Sequence, residues 1–141
     1  MPEFVLDASM TMAWCFADEA TPYTTAVRRS LADATALAPS IWPLEVANVL
    51  LIAERRGRIT EVQTQELVAF LHTLPVEVVS VPLEHVFQDI LTLARAHNLT
   101  SYDAAYLDLA MRENLPLASL DNRLCTAAGN VGVPLVDHAR P

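Results

Sequence analysis

Two aspartates stand just past short apolar runs, Asp7 after Phe4-Val5-Leu6 and Asp121 after Leu117 to Leu120. Such runs read as buried strands, so both carboxylates project at the carboxyl edge of a sheet. Either could instead simply cap the helix that follows it. Glu45 sits inside the apolar stretch from Ile41 to Leu50, where a charge is costly unless paired or bound to a metal. Asp103 falls in the first turn of a helix, where the helix dipole favours an acid. If the four converge, each pair of carboxylates ~4 Å apart repels by roughly 4 kcal/mol at an effective dielectric of 20. All nine basic residues are arginine, and no lysine is present to offset this repulsion. Such a cluster needs protonation or a divalent cation. A hard cation that prefers oxygen and keeps waters for a substrate phosphate is Mg²⁺ or Mn²⁺. Its chemistry would be metal-assisted phosphodiester hydrolysis.

Composition narrows the alternatives. The chain has 141 residues, 52% of them hydrophobic and 18% charged, which suits one core-rich domain over 1–141 and excludes a disordered chain. The net charge of −8 argues against coating nucleic acid by charge alone. The missing lysine removes the P-loop and every Schiff-base mechanism. No apolar run approaches a membrane span, and Glu3 and Asp7 interrupt the N-terminus without a basic region before them. The expectation is a cytoplasmic protein without membrane attachment. Cys15 and Cys125 lack metal or redox spacing and read as buried thiols. His72, His85, His97 and His138 show no paired spacing for a metal.

The elements that must position the four acids follow from periodicity and caps. Strands are predicted at Phe4 to Leu6, Ala36 to Ala38, Val76 to Val81, Leu117 to Leu120 and Val133 to Val136. Helices alternate with them. Thr21-Pro22 starts one, Ser40 is a candidate cap for that running to Arg56, and Thr60-Glu61-Val62-Gln63 is a capping box. A continuous helix is predicted from Pro82 to His97 with Leu83, Val86, Phe87, Ile90, Leu93, Ala94 and His97 inward, ended by Asn98. Another spans Ser101 to Asn114, with Tyr106, Leu107, Ala110 and Met111 inward. The fold class is α/β: three layers, α/β/α, around a mostly parallel sheet of about four to five short strands. In such folds the functional crevice lies beyond the carboxyl ends of the strands, near the switch in strand order.

Four segments carry a family resemblance: Val5-Leu6-Asp7-Ala8-Ser9, Pro43-Leu44-Glu45-Val46-Ala47-Asn48-Val49-Leu50, Ser101-Tyr102-Asp103-Ala104-Ala105-Tyr106-Leu107-Asp108-Leu109-Ala110 and Leu117-Ala118-Ser119-Leu120-Asp121-Asn122-Arg123-Leu124. In order and spacing the chain resembles PIN-domain ribonucleases, and in length it is similar to the VapC toxins of bacterial toxin–antitoxin pairs. The resemblance implies that Asp7, Glu45, Asp103 and Asp121 form an acidic quartet around Mg²⁺, with Asp7 and Asp103 as direct ligands. It also implies Ser9 and Ser119 as hydroxyls that orient a carboxylate or a metal-bound water, with helix capping as the alternative for Ser9. Asn48, one turn after Glu45, is a candidate to fix its rotamer, and a plain core hydrogen bond is the alternative. Asn122 stands where some relatives carry another acid, which bears on a second metal position.

Arg123 is the basic residue nearest in sequence to the expected cleft and is the candidate contact for RNA backbone. Arg55, Arg56 and Arg58 complement a helix C-terminus, with phosphate contact as their alternative. The other acids, Asp108 among them, read as solvated faces or caps. Trp14, Trp42, Tyr102 and Tyr106 read as core or oligomer interface. The resemblance further implies a VapB-like antitoxin, a homodimer that enters a toxin–antitoxin hetero-oligomer, and an RNA substrate for which transfer RNA is a candidate. Two other classes stay open: a PIN-like binding module without catalysis, and a phospho-aspartate phosphotransfer domain, which usually needs the lysine this chain lacks.

Overall fold

A computed structural model describes residues 1–138, so the last positions of the expected 1–141 domain lie outside the described residues. The chain order is β1 (Pro2–Leu6), α1 (Ala8–Cys15), α2 (Pro22–Ser30), β2 (Thr35–Pro39), α3 (Trp42–Arg55), α4 (Glu61–Thr73), β3 (Val76–Val79), α5 (Leu83–His85), α6 (Leu91–His97), α7 (Ser101–Glu113), β4 (Leu117–Ala118) and α8 (Asn122–Asn130). The strands form one parallel sheet in the order β3-β2-β1-β4. Phe4, Val5 and Leu6 are wholly buried, as a central strand covered on both faces requires. The chain first builds from β1 outward to β3 and then returns to β1's other side with β4. The topological switch therefore lies at the carboxyl ends of β1 and β4, where Asp7 and Asp121 follow.

Local signals explain most boundaries. Thr21 and Thr60 both close capping boxes, with Thr24 and Gln63. Asn98 and Asn114 end α6 and α7 in the left-handed conformation, at φ 52° and 54°. Trp42 donates its indole N–H to Thr11 Oγ1 at 2.9 Å, and that hydroxyl donates to Asp7 O at 2.7 Å. The start of α3 is thereby fixed against the strand end that carries Asp7.

Several expectations are corrected. Ser40 does not cap α3; Ile41 holds the cap position without a side-chain bond. The helix expected from Pro82 to His97 is broken by a π-turn at Val86–Ile90. Phe87, within this turn, is 63% exposed, and Leu83, ahead of it, is 69% exposed, so neither faces inward as expected. Met111 is also exposed rather than inward. The strand expected at Val133 to Val136 contracts to one bridge, Leu117 to Leu135, so the sheet has four strands. Cys15 and Cys125 are half-buried and form no disulfide; burial pushes the Cys15 thiol up to about 11. Among the described residues, no helix is long and apolar enough to cross a membrane.

Candidate active site

Asp7 is 4% exposed and held by four donor contacts. Met10 N–H donates to Oδ1 at 2.9 Å, the helix cap expected of a strand-end aspartate. Ser9 Oγ lies 2.8 and 2.9 Å from the two carboxylate oxygens, and Ser119 Oγ donates to Oδ2. The serines also join the two strand ends, since Leu120 N–H donates to Ser9 Oγ at 2.9 Å and Asp121 N–H to Ser119 Oγ at 3.0 Å. Capping and orientation are thus performed together: Asp7 caps α1, while hydroxyls from β1's and β4's exits fix its carboxylate. Asp121 caps α8 through Leu124 N–H at 3.0 Å.

Glu45 and Asp103 approach from α3 and α7. Both are half-buried, each in the first turn of its helix. Tyr106, one turn after Asp103 and 1% exposed, donates its hydroxyl to Glu45 Oε1 at 2.6 Å. This contact corrects two expectations. Asn48 is exposed and makes no bond to Glu45, so it does not set the Glu45 rotamer. Tyr106 is more than core. Its i, i+3 spacing from Asp103 was the available signal, obscured by the apolar residues around it.

The electrostatics link all four acids. Burial, and to a lesser degree the charge of Asp121, raise the Asp7 carboxyl from 3.8 to about 6 against the pull of its hydrogen bonds. Burial and then the Asp121 charge raise Asp103, which Arg123 partly offsets. Burial raises Glu45, with the Tyr106 bond lowering it and the Asp103 charge raising it again. Burial, Glu45, Asp7 and Asp103 together push the Tyr106 hydroxyl up. Arg123 is exposed at the rim and is the one cation acting on this group within the described residues. Arg58 is not available to phosphate: it bonds Asp18 at 2.8 Å and Glu19 at 3.1 Å, and lies 3.9 Å over the Phe16 ring.

The donor set is oxygen-only, short of positive charge and open to solvent at Glu45 and Asp103, which fits a hard divalent cation. It is not a closed cage, because no three carboxylate, imidazole or thiol side chains among the described residues converge tightly enough to enclose an ion. An ion that retains several waters needs only one or two of them directly.

The PIN domain family pattern matches residues 4–130, nearly the whole chain and all four acids. The chain belongs to the PIN domain family. Two solved structures place this PIN domain among its structural neighbours. PAE2754 from Pyrobaculum aerophilum is 21% identical, with a TM-score of 0.64 over 89% of this chain and 86% of that one. VapC20 from Mycobacterium tuberculosis, described as a sarcin–ricin loop cleaving toxin, is 16% identical, with a TM-score of 0.66 over 99% of this chain and 100% of that one. At these identities the likeness establishes the shared fold. A comparison with curated proteins found no match.

Proposed function

We propose that this PIN domain is a divalent-metal-dependent RNA endonuclease and the toxin of a VapBC-type pair. The observation that carries the reading is a chain of acid-on-acid influences, from Asp121 on Asp7 and Asp103 and from Asp103 on Glu45, with Asp7 buried and Arg123 the one cation acting on the group among the described residues. Membership of a family whose members are typically nucleases supports it. Asp7 and Asp103 would hold Mg²⁺ or Mn²⁺, with Glu45 and Asp121 completing the shell directly or through water. When bound, the ion polarises a phosphoryl oxygen and lowers the pKa of bound water. Ser9 and Ser119 keep both Asp7 oxygens in one orientation, and Tyr106 fixes Glu45 as an acceptor for a proton of the attacking water. Arg123 neutralises backbone charge as RNA enters. A basic segment of a VapB-like antitoxin would cover the same acidic hollow. The exposed stripe Leu83, Phe87 and Leu91, spaced at helical intervals, would serve the homodimer.

The phosphotransfer alternative loses ground. No lysine exists to hold a phosphoryl group beside Asp7. The test is cleavage of total and transfer RNA in Mg²⁺, Mn²⁺ or EDTA, with Asp103→Asn alongside. Cleavage should vanish in EDTA and fall at least about 100-fold in the variant, the loss of several kcal/mol that metal-borne charge stabilisation supplies. Folded protein that binds a partner yet never cuts RNA would leave a binding module instead.

A further inference from the structure

One cavity lies beside the acids rather than among them. It has a volume of about 200 Å³ and sits beyond the carboxyl ends of β2 and β3, at Pro39 and Val79. The two segments that carry Glu45 and Asp103 also line it, through Ser40 and Ile41 on one side and Ser101 and Tyr102 on the other. Val81, Ile90 and Ala105 give it an apolar lining. Tyr102 is 56% exposed at the rim, so the expectation that it belongs to the core does not hold.

At its far end the cavity meets a charged pair. Asp108 is 7% exposed, which corrects its reading as a solvated or capping acid. Its carboxylate lies 2.9 Å from His85 Nε2 and accepts from Arg112 Nε at 2.9 Å; His85 Nδ1 in turn lies 2.8 Å from Asp89. Arg112 spends only its Nε on this contact. Its two terminal amino groups make no bond within the described residues, and its side chain is 34% exposed. A guanidinium held at Nε presents those two amino groups as a planar fork, the donor pattern that matches O6 and N7 of guanine. Five residues of helix separate Asp103 from Asp108, about 7.5 Å of rise. Arg112 starts nine residues along, but its bond to Asp108 holds its head group back toward Asp108, so a base read by Arg112 and a phosphate near Asp103 lie along the same helix.

We propose that this cavity is a guanine-binding subsite, in which an unpaired guanine enters past Tyr102, lies against Val81 and Ile90, and is read on its O6/N7 edge by Arg112. The proposal rests on the ribonuclease reading and deepens it by naming a base preference. Extruded or single-stranded bases are commonly held in this way, between apolar or aromatic walls with one polar edge satisfied. Asp108 is a positioning residue here: it acts through Arg112.

Short single-stranded RNAs containing one guanosine, or 7-deazaguanosine or adenosine in its place, test the proposal with Mg²⁺ present. The wild type should cut the guanosine RNA about tenfold faster than either analogue. Arg112→Lys, which keeps the charge but not the fork, and Ala105→Phe, which fills the space, should each remove that preference. A preference unchanged in both folded variants overturns the proposal, as does cutting by the wild type with no base preference. If no RNA is cut at all, the ribonuclease reading fails, and binding decides the subsite separately. Guanosine monophosphate, but not adenosine monophosphate, should then shift the Tyr102 and Ala105 amide resonances of the wild type and not of Arg112→Lys. Equal shifts or none overturn the subsite, and displacement by an aromatic peptide alone would assign the cavity to a protein partner.

Discussion

Asp7 and Asp108 are both buried aspartates on the same core, yet they are stabilised in opposite ways. Asp108 is met by an arginine and a histidine. Asp7 receives only hydroxyl and amide donors, with another acid as its nearest charged influence. A buried carboxylate left without a cation is destabilising, and proteins keep such arrangements where a ligand supplies the missing charge. Asp108 is thus a stable fixture, whereas Asp7 lacks a cation, and the metal reading proposed above would supply one.

Substitution should separate the two most sharply. Asp7→Asn should reduce RNA cleavage at least about 100-fold while leaving the protein as stable as the wild type, or more so, at pH 8. Asp108→Asn should lower stability by about 2 kcal/mol, read as a fall in Tm, because it leaves His85 and Arg112 without their shared partner. Destabilisation of the first and stabilisation of the second would erase the contrast.

Titration sharpens it next. With the Asp7 carboxyl raised from 3.8 to about 6, the native state binds more protons than the unfolded state between those values. Stability therefore falls as pH rises from about 4 to 6, by on the order of 3 kcal/mol, and does not recover above. Thermal unfolding of wild type against Asp7→Asn across that range isolates the effect. Mn²⁺ or Mg²⁺ should raise the wild-type Tm at pH 8 and not at pH 4, where protons occupy the site.

Smaller effects come from the groups that orient the acids. Ser119→Ala should weaken metal affinity about 10–100-fold by calorimetry, with little change in Tm. Tyr106→Phe should cost about 1 kcal/mol of stability and a smaller fraction of activity, since Glu45 loses one donor but keeps its access to water.

Much of this site was legible in the chain because its signals are local. A short apolar run followed by aspartate locates the strand ends at Asp7 and Asp121, and an acid at the start of an apolar helix marks Glu45 and Asp103. Thr60 with Gln63 and the left-handed Asn98 were readable for the same reason. What escaped depends on partners distant in sequence. Nothing near Asp108 announces His85, twenty-three positions earlier. Tyr106 looked apolar because its one polar contact is with another helix. The π-turn at Val86–Ile90 leaves the surrounding sequence periodic, so the pattern alone predicted an unbroken helix.

The join between Ser9 and Leu120 also sets an order of assembly. β4 pairs with a strand made more than a hundred residues earlier, and both serines and two of the acids depend on that pairing. During synthesis the first strand must wait for that later segment before the hollow exists. The RNA cleavage proposed above would therefore begin only once β4 has docked beside β1.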